Sequence, residues 1–429
     1  MKNSATEFTA DANLPPIGLG KRAVVVMQGV PHPSEGASTI LFFWYIAALH
    51  AVKFDVLNVL LLGEESAVDD QKLDSYRSVV APWNQFELLL CRSLKFVVPR
   101  IRGVRFDERA FDSVAQRIKE FKPDVILCLD ITSAAAARRW TGTTKVAWLG
   151  DLAFQSSWYH TLYAYKERQI GVKVLLGTIL VLWHWRRAYK NILRHYGKIV
   201  ASSKAQEETL RKIGVAGPVY LPYPWPAKPP RDRDTSESSC PTLLFIGTLQ
   251  GLGSRSAFHM LIDDIYPGMI RAYGRGGFRI IVCGRGDLAA WVKQAFQEKP
   301  EFEWRGFVDD IEGVMSQCHA MLAPINVPVG NRSRILTAWS QHLLVIAHRN
   351  TALGNPDLVN GETCYLAASC EEFLDRIRRA TSQPADAKRI AERGYAIYSE
   401  KFSPAAAARL LLAEIDDVMS SRQTQGNLT

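Results

Sequence analysis

Short apolar runs without polar alternation recur along the first half of the chain. They lie at residues 23–27, 54–62, 124–129, 145–149 and 198–201, and segments of helical character separate them. Such runs are typical of parallel strands that are buried on both faces. The alternation predicts an α/β domain with right-handed crossovers, in which ligands bind at the carboxyl ends of the strands.

The same alternation begins again at residue 242. Between the two halves, residues 221–240 are rich in proline and then in charge and serine, which is typical of a linker. The predicted strands of the second half are residues 242–246, 278–283, 303–305, 320–323, 343–347 and 363–367. The last three predicted helices are residues 371–380, 387–401 and 404–420.

The length of the chain agrees with two domains. At 429 residues it is too long for one ordinary hydrophobic core. The predicted organisation is a disordered tail at 1–20, a first domain at 21–222, a linker at 223–241, a second domain at 242–402, and a C-terminal helix with its tail at 403–429.

The net charge and the cysteines exclude few classes of protein. The formal net charge of +9 predicts a surface that attracts nucleotide diphosphates, anionic lipid headgroups or nucleic acid. The seven cysteines form no C-x-x-C pair, and several lie in apolar runs, so they are interpreted as reduced core thiols of a cytosolic protein. No signal peptide and no bilayer-spanning run is evident, which predicts a protein on the cytoplasmic side of the membrane.

The loop after the predicted strand 320–323 carries the clearest chemical signal. Gly330 allows a backbone to approach a ligand closely, and a helix with apolar periodicity starts just after it. The N-terminus of a helix favours an anion, because its N–H groups are free and its dipole is positive there. Arg332 and Arg334 lie in the first turn, where cations oppose the dipole unless an anion lies between them. The pattern predicts a phosphate site, and a solvated basic turn is the alternative.

This stretch resembles the donor-sugar motif of the retaining GT-B glycosyltransferases of the family-four type. The matching residues are Gly330, Arg332, Arg334, Ile335, Leu336 and Ala338, followed by the run LLVIA, by Gly354 and by NGE at 360–362. The resemblance implies two Rossmann-like domains that face each other across a cleft, with a C-terminal helix that crosses back to the first domain. The chain departs from the motif at Thr337 and Val329, where the family has a ribose-binding glutamate and, in many members, a second glutamate.

Two further stretches fit the resemblance, which covers residues 242–373 well and the N-terminal half loosely. The first is FIGTLQGLGSRS, where the family binds the diphosphate. The second is the pair IVCGRGD and EWRGFVDDI, where the family binds the nucleotide base. The resemblance implies that Arg255, Arg332 and Arg334 bind the diphosphate and are the catalytic residues. It assigns donor binding to Gly247, Gly284, Phe307, Val308, Asn326, Gly330, Asn331 and Thr337.

The resemblance also suggests an acceptor side in the first domain. The loop 31–38 with Gly36 matches a turn that opens the family's N-terminal domains, and a proline-rich turn that caps a helix is the alternative. Asp151 follows the predicted strand 145–149, where members often carry a His–Asp pair, but Gly150 replaces the histidine. His160 is a candidate substitute, and a surface or core histidine is the alternative.

Residues 171–196 combine a dense apolar block with a basic end. The aromatic residues at the junction and the cations that follow are Trp183, Trp185, Arg186, Arg187, Lys190 and Arg194. This combination suits an interfacial helix that makes peripheral contact with an anionic membrane. An ordinary buried helix with a basic solvent end is the alternative.

The function implied by the resemblance is transfer of a sugar from a nucleotide diphosphate sugar to a glycan or lipid-linked acceptor, with retention at the anomeric carbon. It implies no metal and no cofactor, and the pairs Asp263–Asp264 and Asp309–Asp310 are interpreted as solvent-facing or capping. Because the glutamates are lost, a catalytically silent GT-B protein that acts as a scaffold is the alternative. A nucleotide-sugar epimerase would need more carboxylates and histidines, and nucleic-acid binding lacks a basic stripe with interleaved aromatic residues.

Overall fold

The computed structural model describes residues 16–34, 36–62, 70–80, 86–92, 109–232, 240–329 and 332–426. These residues form two compact units. The first unit holds the described residues up to 158, residues 172–226, and the described residues from 403 onward. The second unit holds residues 159–171 and the described residues of 227–402. The segment 159–171, which the sequence assigns to the first domain, thus packs with the second unit.

The first unit is built on one seven-stranded parallel sheet in the order β3-β2-β1-β4-β5-β6-β7. Its strands are β1 (Arg22–Gln28), β2 (Asp55–Leu62), β3 (Phe86–Arg92), β4 (Val125–Leu129), β5 (Thr144–Leu149), β6 (Lys198–Ala201) and β7 (Pro218–Tyr220). Its helices begin with α1 (Ala37–Ala51), α2 (Asp70–Val80), α3 (Ala115–Phe121), α4 (Ile131–Ala136), α5 (Ala153–Lys166), α6 (Val172–Leu193) and α7 (Lys204–Lys212), of which α5 continues into the second unit. A 3-10 turn, Ala110–Ser113, precedes α3.

Two strands of this sheet are absent from the sequence prediction. They are β3 and β7, which lie at the two edges of the sheet. β3 has the charged residues Glu87 and Arg92 near its two ends, and β7 has three residues and starts with Pro218. Edge strands bury less apolar surface than central ones, so their sequences carry a weaker pattern.

The second unit holds a six-stranded parallel sheet in the order β10-β9-β8-β11-β12-β13. Its strands are β8 (Thr242–Ile246), β9 (Arg279–Cys283), β10 (Phe302–Gly306), β11 (Ala320–Ala323), β12 (Val345–His348) and β13 (Tyr365–Ala367). Its helices are α8 (Leu252–His259), α9 (Tyr266–Tyr273), α10 (Ala290–Glu298), α11 (Ile311–Ser316), α12 (Ser333–Trp339), α13 (Cys370–Ser382) and α14 (Pro384–Ile397). The π-helical segments Met260–Ile265 and Tyr398–Phe402 follow α8 and α14, and a 3-10 turn, Arg349–Thr351, follows β12. All six strands were predicted, within a few residues of their bounds.

The last helix, α15 (Pro404–Gly426), belongs to the first unit. It packs against α1, β5 and β6, and Lys21 and Lys198 form ion pairs with Asp416 and Glu414. The predicted return of the C-terminal helix to the first domain is therefore confirmed.

One buried tryptophan fixes the position of α12 in the second unit. Trp339 is fully buried, and its Nε1 donates a hydrogen bond to the carbonyl of Thr363 at 3.0 Å. The indole also meets the ring of Phe402 edge to face. Gly394 of α14 touches it so closely that a Cβ there would lie 2.6 Å from Nε1. A glycine at this position thus allows α14 to pack on α12.

We expect Gly394→Ala to lower the free energy of unfolding by about 1–3 kcal/mol, because an added methyl group has no space beside an immobile indole. Gly177→Ala in α6 is the matched control, since a Cβ there meets no atom within 4 Å. Alanine also has the higher helix propensity, so the control should keep or raise stability. Denaturant unfolding of the three proteins tests this, and equal midpoints for Gly394→Ala and wild type would contradict the packing argument.

Candidate active site

The strand order of the second unit brings two loops side by side. β8 and β11 are neighbours in the sheet although β9 and β10 lie between them in sequence, so the order of the strands reverses there. The loops that follow these two strands start at Gly247 and Pro324. In open α/β sheets, ligands bind at such a reversal, outside the carboxyl ends of the strands. All three arginines assigned to the diphosphate come after one of these two strands.

Gly247 and Gly284 let the ends of neighbouring strands approach closely. The N–H of Gly247 donates to the carbonyl of Cys283 at 3.1 Å, and the N–H of Gly284 donates to the carbonyl of Gly306 at 2.7 Å. A Cβ at Gly284 would lie 1.7 Å from the carbonyl oxygen of Gly247. Both glycines therefore have a packing role, and their assigned donor-binding role stays a prediction.

Arg334 lies directly at the strand reversal. Its guanidinium stands over the ring of Phe245, 5.1 Å from the centroid, and its Nη2 donates to Ser254 Oγ at 3.2 Å. A Cβ at Gly247 would lie 2.5 Å from Nη2, so only glycine leaves room for this side chain. Its Nη1 is buried and has no hydrogen-bond partner among the described residues.

The electrostatics of this site favour an anion. Burial and the positive charge of Arg332 lower the pKa of Arg334 to about 9. The group remains a cation at neutral pH, but in a place where its charge is poorly solvated. A buried donor without an acceptor costs free energy, and a bound anion would remove that cost.

Arg332 immediately precedes α12. Its Nη2 donates to the carbonyl of Val327 at 2.5 Å, which ties the arginine to the loop after β11. The structure therefore brings Arg332 and Arg334 together, as the sequence predicted. Gly330 and Asn331, the other two residues assigned to this turn, lie outside the described residues.

Asn326 and Thr337 are both engaged with neighbouring groups of the second unit. Asn326 Oδ1 accepts a hydrogen bond from the hydroxyl of Tyr163 at 2.8 Å, and its carbonyl accepts from Asn350 Nδ2 at 2.6 Å. The hydroxyl of Thr337 donates to the carbonyl of Ser333 at 3.1 Å, one turn earlier in the same helix. Their predicted contact with the donor stays a prediction.

Arg255 has a carboxylate partner that the sequence did not reveal. Its guanidinium forms a two-pronged ion pair with Glu167, which is itself largely buried. His259 Nε2 lies 3.1 Å from the same carboxylate. Burial alone would raise the pKa of Glu167, but the hydrogen bonds from Arg255 and His259 outweigh it and lower that pKa. The pair lines a cavity of about 220 Å³ that also has Leu249 and Trp291 in its wall.

The loop after β10 presents an exposed aromatic ring. Phe307 is 55% exposed, and the guanidinium of Arg285 stacks on its ring, 4.4 Å from the centroid. Val308 beside it is half-buried. A flat, accessible surface of this kind can stack with a planar ring. The sequence indicated Phe307 and Val308 but not Arg285, which lies between the two glycines of CGRG.

A second cavity, of about 300 Å³, lies in the first unit at the corresponding strand reversal, between β1 and β4. Its polar lining includes Gln28, Ser38, Asp130, Asp151 and Tyr189. Asp151 Oδ1 accepts a hydrogen bond from Gln206 Nε2 at 3.2 Å. Sequence reasoning missed Asp130, although an aspartate directly after an apolar strand is a signal for this edge of the sheet.

Asp130 has a strained backbone. Its φ is 117°, which is rare for a residue other than glycine, and its Oδ1 accepts the N–H of Ser133 at 2.7 Å as the cap of α4. Gly36, also with positive φ, precedes α1 as its N-cap residue, as the alternative reading of a helix-capping turn predicted. His160 is exposed on α5 in the part that belongs to the second unit, and it does not line the cavity that contains Asp151.

The described residues show neither a metal centre nor a membrane-spanning helix. Within the ranges that the structure describes, no group of three or more His, Cys, Asp or Glu side chains could hold a metal ion. Asp310 caps α11 by accepting the N–H of Gly313 at 3.2 Å, which confirms its predicted capping role. No described helix has the length and apolarity required to cross a bilayer. All seven cysteines are free thiols.

Known proteins share sequence features and the fold with this chain. The family model for Glycosyl transferases group 1 matches residues 240–383. The solved structure of HepE from Anabaena in complex with UDP and glucose has a TM-score of 0.60 and 15% identity, covering 92% of this chain and 99% of that one. Sucrose-phosphate synthase from Thermosynechococcus elongatus has a TM-score of 0.64 and 14% identity, covering 94% and 100%.

A third structure agrees with these two. The lipopolysaccharide outer core galactosyltransferase WaaB has a TM-score of 0.62 and 13% identity, covering 92% of this chain and 99% of that one. No curated protein matches this chain by sequence. At these identities the solved structures show a shared fold. Residues 240–383 therefore match the group 1 glycosyl transferase family model, and the chain shares its fold of two parallel Rossmann-like sheets with GT-B glycosyltransferases.

Proposed function

We propose that this chain moves a hexose from a nucleotide diphosphate sugar to a glycan or lipid-linked acceptor, with retention at the anomeric carbon and without a metal ion. The observation that carries the proposal is the guanidinium of Arg334. It lies at the strand reversal beside Arg332, and its buried Nη1 has no hydrogen-bond partner among the described residues. The oxygens of a diphosphate supply the acceptor and the negative charge that this donor requires.

In the proposed reaction the main requirement is to stabilise the diphosphate leaving group. The bond between the anomeric carbon and the diphosphate oxygen breaks, and the acceptor hydroxyl oxygen forms a bond on the same face of that carbon. The acceptor proton passes to the departing diphosphate oxygen. Negative charge grows on the diphosphate in the transition state, and fixed cations there lower the barrier. Arg332 and Arg334 supply those cations, which is the role that a divalent metal ion has in other phosphate sites.

The substrates are inferred from the relatives and from the first unit. HepE was solved with UDP and glucose, and WaaB is a lipopolysaccharide outer core galactosyltransferase. They support a uridine diphosphate hexose as the donor and a bacterial glycan as the acceptor. Asp130 and Asp151 in the first-unit cavity would accept hydrogen bonds from the hydroxyl groups of a sugar.

A second candidate function is nucleotide binding without transfer. Val329 is a buried apolar residue, and the hydroxyl of Thr337 donates a hydrogen bond within its own helix. Neither residue supplies the carboxylate that the family motif has at these positions. In this alternative the arginines would still bind a nucleotide diphosphate, but the bound sugar would not be transferred.

The proposed function predicts that one class of nucleotide stabilises the folded protein against unfolding. A ligand at a hundred times its dissociation constant adds about 2.7 kcal/mol to the free energy of unfolding, which a thermal-shift screen against UDP, GDP, ADP and their hexose sugars detects. The shift should be the same with and without EDTA, because arginines hold the diphosphate. A shift that requires Mg²⁺ would contradict metal-free binding, and no shift with any nucleotide would contradict the proposed function.

Arg334→Ala and Arg332→Ala should each lower kcat/KM at least tenfold. The expectation follows from the value of a charge-assisted hydrogen bond, about 1.5–3 kcal/mol, lost from the transition state. Stability should be nearly unchanged, because Arg334 has a buried donor that the protein alone does not satisfy. The measurement is donor turnover by release of nucleoside diphosphate, together with thermal unfolding of each variant.

Arg389→Ala is the control for this pair of variants, since Arg389 forms an exposed ion pair with Asp386. It should keep wild-type turnover. Wild-type turnover in both Arg332→Ala and Arg334→Ala would exclude the phosphate assignment. Nucleotide binding by the wild type with no turnover of any donor, in the presence of a crude glycan acceptor, would favour the binding protein over the transferase.

Glu167→Gln should tighten the binding of nucleoside diphosphate several-fold if Arg255 belongs to the donor site. In the structure the carboxylate competes for the same guanidinium that a diphosphate would need, and glutamine keeps the shape but removes the charge. Calorimetric titration compares wild type, Glu167→Gln, and the double variant Glu167→Gln with Arg255→Ala, in which the gain should vanish. Unchanged affinity in both variants would show that Arg255 is structural.

A further inference from the structure

The first half of α6 exposes an unusual amount of apolar surface. Its exposed large apolar side chains are each between 51% and 59% accessible: Val172, Val174, Leu176, Ile179, Leu180 and Trp183. All of them except Val174 lie on one side of the helix, and these five residues are called the α6 apolar face below. They lie within twelve consecutive residues, whereas the other exposed large apolar residues are scattered along the described part of the chain. Clusters of this kind mark interaction surfaces in soluble proteins, because leaving them in water is unfavourable.

The second half of α6 is anchored in the core of the first unit. Leu182, Trp185, Tyr189, Ile192 and Leu193 are buried there. The ring of Tyr189 meets Phe154 edge to face, with centroids 5.2 Å apart, and its hydroxyl accepts the N–H of Ala153 at 3.0 Å. The helix is therefore held firmly at this end, while its first three turns remain accessible.

The charged residues of α6 itself all have one sign. Residues 172–193 contain no aspartate or glutamate. They contain four exposed cations, which are Lys173, Arg186, Arg187 and Lys190. Arg187 lies over the ring of Trp183 at 5.7 Å, so a cation adjoins the exposed indole. The pattern is an apolar surface with an aromatic ring and a basic border, which matches the layers of a membrane interface with anionic headgroups.

The same charges argue against a second copy as the partner. A symmetric contact through the α6 apolar face would bring two sets of like charges together without any acid on this helix to pair with them. An anionic lipid surface instead offers hydrocarbon for the apolar side chains and phosphate for the cations. The charge complementarity therefore selects the bilayer.

We propose that the α6 apolar face and its basic border form a docking surface for an anionic phospholipid bilayer. The apolar side chains enter the interface between headgroups and acyl chains, and Arg186 and Arg187 contact the phosphates. The helix lies in the interface and does not cross it. This surface goes beyond the proposed sugar transfer and does not depend on it.

Vesicle flotation of the full chain tests the proposal. Vesicles of phosphatidylcholine with 40% phosphatidylglycerol should carry the wild-type protein at low salt, and pure phosphatidylcholine vesicles should carry at least tenfold less. The triple variant Leu176→Asn, Ile179→Asn, Leu180→Asn and the double variant Arg186→Glu, Arg187→Glu should each lower binding to anionic vesicles at least tenfold. Their far-UV circular dichroism and unfolding midpoints should equal those of the wild type, since the changed side chains are exposed.

Leu353→Asn is the matched control, because Leu353 is an exposed leucine of the second unit at 54% accessibility. It should bind vesicles as the wild type does. Equal binding to both kinds of vesicle, wild-type binding by the triple variant, or no binding by the wild type would each overturn the proposal. A wild-type dimer in sedimentation velocity without lipid, converted to a monomer in the triple variant, would assign the face to a second copy and overturn it as well.

Discussion

The buried guanidinium of Arg334 is the constraint around which the candidate site is arranged. It needs an aromatic face beneath it, a hydroxyl for one amine, and a neighbouring residue without a side chain, and Phe245, Ser254 and Gly247 meet these needs. A larger residue at Gly247 would occupy the space of the guanidinium itself. The remaining amine has no partner among the described residues, so the site is electrostatically incomplete until an anion binds. This incompleteness distinguishes a binding cation from one that stabilises the fold.

Strand order explains why the cavity of the first unit and the two arginines of the second lie where they do. In each unit the sheet starts from a central strand, grows in one direction, and then reverses, between β1 and β4 in the first unit and between β8 and β11 in the second. At a reversal the loops diverge and leave a crevice. The first unit places Asp130 and Asp151 in its crevice, while the second places Arg334 there. The same topology therefore supports a neutral-to-acidic site in one unit and a cationic site in the other.

The segment 159–171 gives the second unit residues that its own sequence range lacks. Tyr163 donates to Asn326, and Glu167 pairs with Arg255 and His259. Glu167 is largely buried, so its charge requires these partners. The ion pair neutralises one of the three predicted phosphate cations, whereas the buried Nη1 of Arg334 has no hydrogen-bond partner among the described residues. That difference is the physical reason for assigning the main anion-binding role to Arg334, beside which Arg332 contributes a second positive charge.

The sequence by itself determined the two α/β units, eleven of the thirteen described strands, the last helix of the first unit, and the proximity of Arg332 and Arg334. These features follow from local information: apolar runs without alternation indicate buried parallel strands, and two cations in the first turn of a helix favour a bound anion. The tertiary structure alone decided the partners of Arg255, the strained Asp130 at the first crevice, the stacking of Arg285 on Phe307, and which half of α6 is buried. Each of these depends on residues that are distant in sequence or on how much surface a neighbouring element covers. No local pattern carries that information, because the same apolar helix is stable in a core or at a membrane, and the same arginine binds a carboxylate or a phosphate, according to what the fold places beside it.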